Sequence, residues 1–159
     1  MDVLRLVDIR DTPLDLDEVM GALDDATSGG VTVFVGRVRD HDGGQGVTGL
    51  EYSAHPSALA TLRDVCAQVA STYDVTALDK LAEVCGRVAE EYAVTGVAAV
   101  HRTGTLAIGD IAVICATATA HRGESFDATR ALIDTLKDEV PIWKHQSFAD
   151  GTEEWVGSP

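Results

Sequence analysis

The chain has 159 residues and carries 26 Asp and Glu against 12 Lys and Arg, a formal net charge of −14. Length and a 45% hydrophobic composition suit a single domain over residues 1–159 with its own core. So acidic a chain is not expected to bind nucleic acid or an anionic membrane, and no apolar run approaches the ~20 residues of a membrane span.

The first 25 residues hold eight acids and two arginines. Asp15, with Glu18 three residues on, is placed to cap a short helix whose Leu16, Val19, Met20 and Leu23 fall on one stripe. Ser28-Gly29-Gly30 stops it. Val31 to Val35 alternates and is rich in β-branched residues, so it predicts a strand running into Gly36-Arg37-Val38-Arg39. A glycine-rich loop, Asp42 to Gly46, then joins it to a second strand, Val47 to Ser53, in a hairpin.

Residues 58–76 and 77–95 repeat at an offset of 19 with ten identities. Leu62, Val65, Cys66, Val69 and Tyr73 form one helical stripe, and Leu81, Val84, Cys85, Val88 and Tyr92 form its copy. Two tandem helices are expected, broken near Asp74-Val75-Thr76. Two copies are too few for a solenoid and read as a local duplication. Gly96 to His101 predicts a short strand and Arg102-Thr103-Gly104 a turn. Asp110 to Thr119, the most apolar stretch, predicts a central strand. A helix from about Ser125 to Glu139 is expected to turn Phe126, Leu132, Ile133 and Leu136 inward and to end at Pro141. One or two short strands around Asp150-Gly151 complete the chain. Without strict strand–helix alternation the class is α+β, a mixed and antiparallel sheet with packed helices.

Three cysteines, Cys66, Cys85 and Cys115, are too few and too scattered for a disulfide framework or a zinc ligand set. The start Met-Asp-Val-Leu-Arg does not resemble a secretory leader, so a reduced cytoplasm is the expected setting and no metal site is expected. No P-loop, dinucleotide fingerprint or metalloprotease motif is present. The bases are unevenly placed. Arg37 and Arg39, two residues apart, leave a strand on one face and suit a shared anion. His121-Arg122-Gly123 sits where a strand meets a helix start, so free backbone N–H groups and the helix dipole would favour an anion held by Arg122. His121 could donate a hydrogen bond or move a proton. Lys137 lies near a helix end, and Lys144 follows Trp143 in a half-buried segment where a lysine can serve as nucleophile or acid. From the residues alone, a phosphate-ligand enzyme built on the His121-Arg122 helix start stays open.

Several segments together resemble the MoaE family, the catalytic (large) subunits of molybdopterin synthase. They are Phe34-Val35-Gly36-Arg37-Val38-Arg39-Asp40, Leu50-Glu51-Tyr52, His101-Arg102-Thr103-Gly104, Ile108-Gly109-Asp110, His121-Arg122, Leu136-Lys137, Pro141-Ile142-Trp143-Lys144 and Gly151 with Trp155-Val156. The resemblance spans about residues 5–156. It implies an α/β hammerhead fold and a sulfurtransferase of molybdenum cofactor biosynthesis. The implied reaction moves sulfur from the Gly-Gly thiocarboxylate of a small ubiquitin-like, MoaD-like carrier onto cyclic pyranopterin monophosphate, forming the molybdopterin dithiolene. No permanently bound cofactor is implied, and the implied assembly is a homodimer flanked by two carriers. Arg37, Val38, Arg39, His121, Arg122, His145 and Gln146 would line or bind substrate, with Arg102 a further candidate. Lys137 would be catalytic by charge stabilisation or a transient covalent link to the carrier, and Lys144 by acid–base or anion-holding chemistry. Two features depart from the family pattern. His145-Gln146 stands where a basic residue and a glutamate are usual, and the stretch between Glu51 and His101 is about one repeat unit longer. A non-catalytic carrier-binding or assembly paralogue is the alternative within this resemblance.

Overall fold

The computed structural model describes residues 3–83 and 94–156. Its elements in chain order are β1 (Leu4–Arg10), α1 (Leu16–Ala22), β2 (Gly30–Arg37), β3 (His41–Asp42), β4 (Gln45–Ala54), α2 (Ala58–Glu83), β5 (Val94–Arg102), β6 (Gly104–Leu106), β7 (Ile111–Thr119), α3 (Arg122–Glu139), β8 (Ile142–Phe148) and β9 (Glu153–Val156). They build two sheets. The first has the order β1-β5-β7-β2, with β1 parallel to β5 and the remaining pairs antiparallel. The second runs β3-β4-β8-β9, with β6 also on β4. The mixed and antiparallel α+β architecture expected from the sequence is the one observed.

The apolar run of β7 follows from its position between β5 and β2, covered on both faces. Val113 and Cys115 join Val97 and Ala99 against α2 and α3, where Leu62, Val65, Cys66, Leu132 and Leu136 complete the core. Ile114 and Ala116 point the other way, with Ala98 and Val100, onto Val19 of α1 and Leu23 at its C-cap. A smaller cluster, Val38, Leu50, Leu106 and Ala112, fills the space beneath the second sheet. The sheets are tied where Val38 N–H donates to the Asp110 carbonyl and Gly109 N–H to the Val38 carbonyl, at 3.0 and 2.9 Å.

Asp15 caps α1 as expected, its side chain accepting from Asp17 N–H. Only half of the α1 stripe is covered: Val19 and Leu23 are buried, while Leu16 and Met20 stay exposed. Phe126, expected inward, is 61% exposed, because the N-terminal half of α3 faces the core with Ser125 and Thr129 instead. These hydroxyls bond Thr117 of β7 and Thr32 of β2. The expected break near 74–76 does not occur either. With no glycine or proline there, α2 runs unbroken to Glu83. The remainder of the second repeat copy, 84–93, lies outside the described residues, and its last two residues, Val94 and Thr95, open β5.

Candidate functional site

Three parts of the chain converge on one cleft of about 630 Å³: the end of β2, the β3–β4 hairpin, and the meeting of α3 with β8. Each contributes through its local geometry. β2 delivers Phe34 and Arg37, with a register shift between Gly36 and Arg37 just before its last pair with β7, Arg37 with Ile111. Val38, 5% exposed, belongs to the floor, and Arg39 follows at the start of the hairpin. The turn at Gly43 and Gly44, both at positive φ, sends the chain straight back, so Asp42 sits beside the strand it has just left. On β8, alternation aims Lys144 and Gln146 into the cleft. Lys137 reaches it from the last turn of α3, where the helix dipole favours a cation.

Asp42 organises these groups. Its Oδ2 accepts from Lys144 Nζ and from Gln146 Nε2, both at 3.0 Å, and its Oδ1 from Arg39 Nη2 at 3.2 Å. The Gln146 amide and the Lys144 ammonium together hold the carboxyl down to about 2, so it is ionised across the physiological range. Lys137 is differently placed. Its Nζ lies 5.9 Å from the Phe34 ring centroid, a cation–π contact, and among the described residues it makes no ion pair. Arg37 Nη1 donates to the Gly109 carbonyl at 3.2 Å. Four cations, Arg37, Arg39, Lys137 and Lys144, therefore line the cleft against one carboxylate, a net positive field inside an acidic chain. The wall behind is sealed by Tyr52, which packs edge-on against His101 at 5.0 Å between ring centroids.

The cleft thus unites Arg37, Val38, Arg39, Lys137, Lys144 and Gln146 of the residues singled out from the sequence. The other four lie elsewhere. His145, odd-numbered on β8, faces away, stacks on Trp155 at 4.5 Å and approaches Glu153. Arg102 is held by Asp110 at 2.9 Å. His121 and Arg122 begin α3, beside Gly30 at the opposite end of β2. The fifteen residues from Arg122 to Lys137 span about 22 Å of helix, so the two ends cannot share one small ligand within a chain. Asp42 and Phe34 were not singled out as site residues: Asp-Gly-Gly carries the signature of a turn, and Phe34 that of a strand core. Among the described residues no cluster of His, Cys, Asp and Glu is arranged to hold a metal.

The family profile described as MoaE protein matches residues 9–79 and 71–139, two segments that overlap across the junction of the repeat copies. The chain belongs to the MoaE family. A relative in Mycobacterium tuberculosis, "Molybdopterin synthase catalytic subunit 1", is 40% identical over 94% of this chain and 88% of its own length. The crystal structure of molybdopterin synthase from Staphylococcus aureus superposes with a TM-score of 0.73 at 28% identity, covering 99% of both chains. A complex of subunits 1 and 2 of molybdopterin-converting factor from Helicobacter pylori shares the fold, with a TM-score of 0.61 at 20% identity over 99% of this chain and 90% of its own. The carboxylate beside Lys144 comes from Asp42 on the hairpin, to which Gln146 also donates.

Proposed function

We propose that the chain is the catalytic subunit of a molybdopterin synthase, a sulfurtransferase that accepts sulfur from the C-terminal thiocarboxylate of a small ubiquitin-like carrier. The acceptor is cyclic pyranopterin monophosphate and the product is molybdopterin. One observation carries this reading: a cleft lined by four cations and one carboxylate, in a chain of the MoaE family whose relatives bear that name. A carboxylate-like sulfur donor and a phosphate-bearing acceptor are both anions, and such a cleft holds both through charge-assisted hydrogen bonds. Lys137 is the group of first choice at the reacting carbonyl. Its ammonium has a ring face beneath it and makes no ion pair among the described residues, so its charge is available to an oxyanion. Lys144 and Arg39 hold the anionic groups, and Arg37 and Val38 shape the wall. The two-subunit composition of the Helicobacter pylori fold relative supports a carrier partner. His121 and Arg122 join this reading through a second copy of the chain, because their own cleft lies about a helix length away.

The test is reconstitution. Purified chain, thiocarboxylated carrier and cyclic pyranopterin monophosphate should yield molybdopterin, followed as its oxidised fluorescent pterin. Lys137→Ala is expected to lower turnover about 100-fold or more with carrier binding retained. Full activity in that variant would remove Lys137 from its role. Carrier binding without product at any enzyme concentration would favour the non-catalytic assembly reading.

A further inference from the structure

Among the residues lining the cleft, Asp42 is the one carboxylate, and three of the cleft's donors converge on it. We propose that Asp42 is a positioning residue for sulfur transfer: as the resident counter-ion of the cleft, it holds the Lys144 ammonium and the Arg39 guanidinium in their working orientation. The inference rests on the synthase reading for the identity of the anions and on geometry for the rest.

The geometry has three parts. First, Asp42 is itself fixed. Gln146, 1% exposed, donates one amide hydrogen to Asp42 and the other to Glu154 Oε2 at 2.9 Å, bracing the hairpin against β8 and β9. Both its hydrogens are engaged, so Gln146 has none left for a ligand and acts through Asp42. Backbone bonds from Val47 N–H to the Asp40 carbonyl and from Ala149 N–H to the Gly46 carbonyl, each 2.8 Å, clamp the hairpin base. Second, Lys144 depends on it. A lysine side chain only 21% exposed, among Arg37, Arg39 and Lys137, would swing outward from its like-charged neighbours without a carboxylate to hold it. Third, the contact leaves capacity. One of the three ammonium hydrogens goes to Asp42, so the other two remain for an anion in the cleft. Asp42 thereby sets direction without consuming the donor.

The experiment uses full-length wild type, Asp42→Asn and Asp42→Glu with two readouts. In the reconstituted reaction, Asp42→Asn is expected to lower kcat about tenfold or more while KM for the pterin stays within about threefold. All four cations remain in the cleft to hold the anion, and only the alignment of Lys144 and Arg39 with the reacting groups is lost. Asp42→Glu, which keeps the charge, should recover at least about a third of the wild-type kcat. Independently of turnover, an amine-reactive acylating reagent with peptide mass spectrometry reports the modification rate of Lys144 relative to Lys137 in the same molecule. That ratio should rise about threefold or more in Asp42→Asn and return in Asp42→Glu. An unchanged ratio, an unchanged kcat, or a raised KM with kcat preserved overturns the proposal. Wild-type protein that makes no molybdopterin would defeat the synthase reading instead, and the labelling ratio alone would then decide whether Asp42 orders Lys144.

Discussion

His101 sits directly behind the cleft, 6% exposed, with Nδ1–H donating to the Arg102 carbonyl at 2.8 Å and Tyr52 edge-on to its ring. Burial pushes its imidazole down to about 4 from an ordinary 6.5, so the folded state favours the neutral ring. The sign follows. A folded value below the unfolded one contributes stability that is present above 6.5 and is lost as pH falls toward 4. Between about pH 7 and about pH 4.5 this group should account for on the order of 2 kcal/mol of lost stability. Denaturant midpoints at both pH values should therefore fall less in His101→Gln than in wild type, because the glutamine can donate the same hydrogen bond without titrating. Equal slopes would show that His101 charges without cost. Asp42 behaves differently over this range, because at about 2 it stays ionised throughout and the arrangement of Lys144 and Arg39 is insensitive to mild acid.

The approach of α3 to β2 illustrates how elements set the site. Gly29 N–H donates to the Thr119 carbonyl at 2.9 Å, and a Cβ at Gly29 would overlap the backbone carbonyl of Ala120. Only a shift of β2 against β7 could relieve that. Gly29→Ala is expected to cost about 3 kcal/mol or more in denaturant unfolding, while Gly123→Ala, with nothing within 4 Å in α3, should be neutral or stabilise by up to about 1 kcal/mol. Comparable losses in the two variants would contradict the close packing. Element existence was largely readable from local signals: the Asp15 cap, the Gly43-Gly44 turn, the apolar run of β7 and Pro141 after α3. β1 escaped that reading. A register irregularity between Leu4 and Leu6 sends Leu4, Val7 and Ile9 to one core and Leu6 to the other, which erases simple alternation, and its partner β5 is remote in sequence.

In the whole molecule, a charge of −14 coexists with a cationic cleft because screening confines each field to about 8–10 Å at ordinary salt. Some of the acidity is engaged locally: Asp25 pairs with Arg5, and Asp8 and Glu18 pair with Arg10. The separation of Arg122 from Lys137 makes a prediction at this scale. If a second copy supplies His121 and Arg122, co-refolding Lys137→Ala with Arg122→Ala chains should regenerate one intact cleft per mixed dimer, about a quarter of wild-type activity from an equal mixture. A site complete within one chain would give no recovery. Chemistry at the level of residue types and motif order was decided by the sequence: Arg37, Arg39, Lys137 and Lys144, and the family they point to, were all legible along the chain. Which of these cations meet, which carboxylate holds them, and that His121, Arg122 and His145 lie off the cleft were decided only in three dimensions. The reason is that ion pairing and strand-face alternation act through space, so an aspartate written as a turn at position 42 becomes the partner of a lysine 102 residues later.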